Sequence, residues 1–312
     1  VRGEGGGRAQ WSDLPGGLRV AVAGELGSPV VRAVTQVGGF SPGSADRVVT
    51  ASGRRAFVKA LDGERHPGSV DLHRREARVL GALPAGLPVP ALLGLVERDG
   101  WVALVIEDVD GECPALPWRL PAVESALDAL AAVARAEIPA ALREALPRAE
   151  VDLEHDDAGF ERLLADPWPD LSRVDPWAAQ RLEELAVLAR RGNRALAGES
   201  LAHGDVRADN LLQRDDGSVV VVDWPHAVIG SPVFDAVALL LNVRLSGSDV
   251  DADALLAERF PGREGEVTAV LAADAAYFTD AARLPPVPGL PVLRAFQAAQ
   301  ARAALAWLRE RC

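Results

Sequence analysis

The segment 201–224, LAHGDVRADNLLQRDDGSVVVVDW, sets His203, Asp205, Asn210 and Asp223 in one frame. Asn210 opens an apolar run, Asp215-Asp216-Gly217 is a hairpin-turn sequence, and Val219 to Val222 form the returning strand. A hairpin of this length brings Asp223 back to the end where Asn210 begins, and the polar loop 203–209 holds Asp205 beside them. Hard oxygen donors of this kind suit magnesium, which takes one or two carboxylates and completes its shell with substrate phosphates and water. A further carboxylate next to such a site can accept a proton from an attacking hydroxyl. The chemistry such a set serves is phosphoryl transfer, which needs neutralised phosphates, an in-line nucleophile and excluded water.

Composition singles out one more residue. Of 33 basic residues only Lys59 is a lysine. A coding bias toward arginine erases lysine wherever a guanidinium serves as well, but a compact ammonium in a tight site has no arginine substitute. The position of Lys59 is therefore informative.

These residues need elements to hold them. Residues 1–30 are rich in glycine and proline and read as a loose leader with a short helix. From residue 32 to residue 106 the text is strand-like. Val30 to Phe40 runs into the turn Ser41-Pro42-Gly43-Ser44, Arg47 to Ala51 follows, and Ser52-Gly53 turns into Arg55 to Leu61, the strand that carries Lys59. Val70 to Leu83 has helical periodicity ended by Pro84, and Ala91 to Glu97 and Trp101 to Ile106 are two further strands. Beyond the acidic-glycine joint Glu107-Asp108-Val109-Asp110-Gly111 the strands largely vanish. Helical text covers 121–146, 176–197 and most of 232–312. The stretch 150–175 is strongly acidic and reads either as a solvated loop or as a wall for a cationic substrate. A strand-rich lobe and a larger helical lobe place a cleft between them, where ligand sites are favoured.

His203-Gly204-Asp205 with Asn210 and Asp223 resembles the catalytic loop and metal-binding aspartate of the aminoglycoside phosphotransferase family, relatives of choline kinases and protein kinases. Asp223-Trp224-Pro225 is similar to the small-molecule branch, and Lys59 falls where the family has its nucleotide lysine. The resemblance covers about residues 33–245. It implies an α+β, two-lobed protein-kinase-like fold with an N-terminal antiparallel sheet lobe containing one helix and a larger, mainly helical C-terminal lobe. The implied division is a nucleotide-binding lobe over 1–106, a hinge over 107–111, and a helical lobe with catalytic loop and acceptor site over 112–312.

The same resemblance implies residue roles. Asp205 would be the base or would orient the substrate hydroxyl, and Asn210 and Asp223 would hold Mg2+. Lys59 would meet the α- and β-phosphates of ATP, held in place by Glu76. The backbone from Glu107 to Val109 would hydrogen-bond the adenine edge. Ser41, in the turn Gly38 to Gly43, would lie over the phosphates, although this turn lacks the protein-kinase Gly-x-Gly-x-x-Gly and reads equally as a plain hairpin. Asp235 resembles an aspartate that braces the catalytic loop. His203 reads as a buried loop brace, and Arg207 pairs either with a phosphate or with Asp209.

The implied function is ATP- and Mg-dependent transfer of phosphate to a hydroxyl of a small molecule, such as an aminoglycoside, another antibiotic or a metabolite. An amino-alcohol or sugar kinase and a catalytically inactive nucleotide-binding scaffold are the alternatives. A protein kinase is disfavoured because no Ala-Pro-Glu follows Asp223. Net charge of -12 argues against nucleic-acid binding. No apolar run reaches the roughly 18 residues of a membrane span. Two cysteines, Cys113 and Cys312, supply neither a disulfide framework nor metal-ligand spacing, so a cytoplasmic setting is expected.

Overall fold

A computed structural model describes residues 9–36, 43–287 and 290–312. The strand text folds as one antiparallel sheet of β1 (Val30–Thr35), β2 (Ser44–Thr50), β3 (Arg55–Asp62), β4 (Leu92–Arg98) and β5 (Trp101–Ile106), in the order β1-β2-β3-β5-β4. Within the expected run from Val30, β1 covers Val30–Thr35, and β2 starts three residues before the expected Arg47. The turn from Gly38 through Ser41 to Pro42 lies outside the described residues.

Residue alternation decides which side of the sheet each chain position serves. Val48, Ala56, Val58, Ala60, Ala103 and Val105 pack together on one face. Lys59, paired with Ala45 on β2 and Leu104 on β5, points to the other. That second face is covered by α2 (Pro67–Ala82), which starts at the proline of Arg65-His66-Pro67 and buries Val70, His73, Glu76, Ala77, Val79 and Leu80.

The leader requires a correction. Residues 16–25 form α1 (Gly16–Glu25), and Leu14, Leu18, Val22 and Leu26 bury against the first face of the sheet. Their four-residue spacing lines one side of a helix. Gly16, Gly17 and Gly24 lower helix propensity and dilute that pattern, but burial against a sheet outweighs propensity. The short helix expected in the leader is thus docked, and the sheet has a helix on each face.

Beyond β5 the chain is mostly helical. The expected run 121–146 is two helices, α3 (Leu120–Ala134) and Ala140–Ala145, interrupted at Ile138-Pro139. The expected helix over 176–197 is likewise split, into Pro176–Gln180 and Leu182–Ala195. The latter packs on the long helix Glu264–Arg283, where Gly192 lies against the backbone carbonyl of Ala269 so closely that a Cβ would collide. Small residues at such crossings let the helix backbones approach. Among the described residues, no helix is long and apolar enough to cross a membrane.

Candidate active site

Four short strands carry the catalytic segment on the helical lobe. β6 (Ser200–Ala202) pairs with β9 (Val228–Gly230), and β7 (Leu211–Gln213) pairs with β8 (Val219–Val221). The Val222 N–H donates to the Asn210 carbonyl at 2.9 Å, which closes the hairpin end and puts Asp223 one residue beyond that bond. The hairpin expected from 210–223 therefore does bring Asn210 and Asp223 to one end.

The loop between β6 and β7 is braced from three sides. Asp235, buried at the start of the helix Pro232–Leu245, accepts the His203 N–H at 2.7 Å and the Gly204 N–H at 3.0 Å. Buried His203 has Nε2 2.9 Å from the Val222 carbonyl, and its Nδ1 accepts the Asp205 N–H at 3.2 Å. That pattern puts the ring proton on Nε2, so His203 is a loop brace and no base. Gly204 has φ of 81°, and a Cβ there would strike the His226 carbonyl, which accounts for glycine in His-Gly-Asp.

Asn210 Nδ2 donates to the Asp205 backbone carbonyl at 2.8 Å and to Asp205 Oδ2 at 3.1 Å. With its nitrogen used this way, the amide oxygen is the atom left to ligate a cation. Asp205 keeps about a third of its side chain exposed, with 34% accessible. Burial of its carboxyl pushes the pKa up, while Arg207, whose Nε is 4.0 Å from Oδ1, pulls it back. Arg207 itself binds Asp209 through Nε at 3.0 Å and Nη2 at 2.7 Å, and it lies over the Phe296 ring at 5.8 Å. Asp209 was one of the two partners considered for Arg207.

Lys59 crosses from the sheet to this loop. Its Nζ is 2.9 Å from both Glu76 oxygens and 2.6 Å from Asp223 Oδ1. Burial alone would lower the Lys59 pKa, but the Asp223 and Glu76 carboxylates outweigh it and the ammonium stays charged. Burial would raise Asp223, yet Lys59 holds it down to about 2. Burial raises Glu76, whose side chain is only 2% exposed, and Lys59 opposes that rise. Asp223 has φ of 70°, a left-handed conformation that a short polar side chain tolerates, and its strain marks a position fixed by its surroundings.

At the joint, the Glu107 N–H donates to the Ala91 carbonyl at 2.9 Å, and its Oε2 accepts the Ala91 N–H at 3.1 Å. The Glu107 side chain thus meets the residue just before β4 and lies 3.7 Å from Arg214, and Val109 is buried. Sequence reasoning missed Asp108. Its buried carboxylate meets Arg55 Nε at 2.8 Å and Arg47 Nε at 3.3 Å, so strands β2 and β3 hold the joint. An acid in the joint opposite arginines on two strands was the available signal.

Tyr277 accepts a bond from Gln297 Nε2 at 3.4 Å. Burial raises its phenol pKa, and the charges of Asp156 and Asp205 both add to the rise. Asp156, from the acidic stretch, and Asp205, from the loop, thus both act on Tyr277 electrostatically.

Among the described residues no cluster of three or more His, Cys, Asp or Glu could hold a metal. One carboxylate, Asp223, and one amide oxygen, Asn210, instead fit a cation that takes its other ligands from phosphate and water. The donor set is compatible with magnesium.

Comparison with known proteins identifies a family and a fold. A family model described as the phosphotransferase enzyme family matches residues 39–270, well over half of the chain. Similar solved structures include a thermostable mutant of aminoglycoside phosphotransferase APH(4)-Ia in ternary complex with ADP and hygromycin B, with TM-score 0.60, 15% identity, and coverage of 94% of this chain and 98% of that one. Spectinomycin phosphotransferase APH(9)-Ia, in complex with ADP and spectinomycin, gives TM-score 0.57 at 13% identity, covering 92% and 95%. A putative fructosamine-3-kinase from Haemophilus somnus 129PT gives 0.56 at 12%, covering 96% and 97%. At these identities the likeness shows the two-lobed, protein-kinase-like fold. A search of curated proteins finds no match. Lys59, Glu76, Asp205, Asn210 and Asp223 all fall inside the matched span, and the chain belongs to the phosphotransferase enzyme family.

Proposed function

We propose that the chain moves the terminal phosphate of ATP, with Mg2+, to a hydroxyl group of a small molecule. The observation that carries this reading is the convergence of Lys59, Glu76 and Asp223 from both lobes beside the Asp205–Asn210 pair. Asp205 takes the hydroxyl proton on a carboxylate oxygen as the acceptor oxygen bonds to phosphorus and ADP leaves. Asn210 keeps Asp205 in one rotamer. Lys59 offers its ammonium to the phosphates and Glu76 fixes where it points. The backbone from Glu107 to Val109 faces the adenine edge. Asn210 and Asp223 would hold Mg2+, which when bound neutralises phosphate charge.

The acidic stretch 150–175 supports a hydroxylated molecule that also carries an amine. Aminoglycoside-type antibiotics fit that description. An amino-alcohol or sugar kinase is the second reading, favoured by the same acidic stretch and by the fold shared with a putative fructosamine-3-kinase. A cytoplasmic setting belongs to the same proposal.

The test is ADP release with ATP and Mg2+ across aminoglycosides, other antibiotics, amino alcohols and sugars. Asp205→Ala should lower acceptor-dependent release by roughly 10²- to 10⁴-fold while nucleotide affinity stays near wild type. Equal loss of nucleotide binding and folding would make Asp205 structural. ATP binding without any acceptor-dependent release across a wide panel would favour the inactive scaffold.

A further inference from the structure

Arg75 precedes Glu76 on α2, so the two side chains leave the helix about 100° apart. Glu76 turns inward to Lys59, whereas Arg75 reaches across the lobe junction and its Nη2 donates to the Ala227 carbonyl at 2.7 Å. Ala227 is fully buried and lies between Asp223 and β9. At the other end of the same segment, the Trp224 N–H donates to Glu76 Oε1 at 3.4 Å. Consecutive side chains of one helix thus hold both ends of the stretch 224–227.

The stretch is fixed on its opposite side by the catalytic loop. The Trp224 ring meets His203 edge-on at 4.8 Å, and the His226 carbonyl sits against Gly204. Among the described residues Arg75 has no carboxylate partner, so its charge goes into one bond to a backbone carbonyl. Charge-assisted bonds of this kind are stronger than neutral ones.

We infer that Arg75 is a positioning residue for phosphoryl transfer: it locks the backbone that follows Asp223 onto α2. The helix position that brings Glu76 to Lys59 and the loop position that presents Asp223 are then set together. A displacement of α2 that breaks the Lys59–Glu76 pair also releases Ala227 and lets Asp223 move. The inference rests on the proposed function for its consequence, and on geometry alone for its structural half.

The test compares wild type with Arg75→Ala and Arg75→Lys by hydrogen–deuterium exchange across 223–230 in nucleotide-free protein. Calorimetric ATP binding with and without Mg2+ is measured on the same proteins. Arg75→Ala should speed exchange in that segment and weaken Mg2+-dependent ATP affinity by about 10- to 100-fold. Metal-free ATP affinity should change little, and Arg75→Lys should recover part of both effects. Unchanged exchange together with unchanged metal dependence overturns the inference, as does an equal loss of affinity with and without Mg2+. Should Arg75→Ala not fold, Arg75→Gln against Arg75→Lys makes the same comparison, and wild-type values in both overturn it. A wild type without Mg2+-dependent ATP binding would instead remove the proposed function, while exchange would still decide whether Arg75 holds the loop.

Discussion

At Lys59 two carboxylates from different lobes share one ammonium, with Nζ 2.6 Å from Asp223 and 2.9 Å from Glu76. Arginine at this point would keep the charge but not the compact shape, since its planar fork cannot sit between both partners at these distances. Lys59→Arg should therefore lower turnover by roughly 10²-fold, the scale of losing one preorganised donor. Steady-state kinetics check this, and near-wild-type turnover would show that the charge alone suffices. A different residue contributes to the pH response. Asp157 is buried in the helical lobe, where burial raises its pKa to about 7 although Asn193 Nδ2 donates to it at 2.9 Å. The folded state then holds a proton that the unfolded chain releases near the ordinary carboxylate pKa of about 4. Folded protein binds more protons between those values, so stability falls as pH rises from about 4 to about 7. Asp157→Asn should remove that part of the slope in melting temperature against pH; an unaltered slope would assign it to other groups.

Among the elements, the strands and α2 were readable because alternation and the Pro67 start are local signals, and they hold Lys59 and Glu76 where the pattern put them. The 210–223 hairpin was readable for the same reason, its turn and both strands being contiguous. The contacts of Tyr277 with Gln297 and of Arg207 with Phe296 were not, because the partners lie far apart in the chain and no spacing links them. α1 lies between these cases. Its apolar residues recur at 14, 18, 22 and 26, but interspersed glycines made the stretch read as a leader. Leu18 is fully buried between α1 and the sheet. Leu18→Ala should cost about 2–5 kcal/mol, the range for deleting a buried leucine side chain. Denaturant unfolding measures it, and a change below about 0.5 kcal/mol, the scale of surface substitutions, would mean α1 adds nothing to the lobe.

Across the whole molecule, the sheet lobe and the helical lobe meet at a joint held from both sides. Toward the sheet, Asp108 joins Arg47 and Arg55. Toward the helical lobe, Glu112 and Gln213 exchange backbone bonds at 3.0 Å and 2.8 Å, tying the end of the joint to β7. The proposed function needs this because it puts nucleotide and base on different lobes, and small misplacements between reacting groups reduce rate steeply. Asp108 is the part of the joint to test. Its side chain is 3% accessible, while Arg47 and Arg55 are 33% and 46% accessible, so water screens the arginines but not the carboxylate. Asp108→Asn keeps the shape and removes the charge, which leaves two guanidinium groups without their shared anion and loosens the backbone proposed to face adenine. The expected outcome is a KM for ATP raised on the order of 10-fold, the value of a lost charged hydrogen bond, with kcat much less affected. If kcat fell instead and KM held, the joint would be setting the angle between the lobes during transfer, and the adenine contact would have to come from elsewhere.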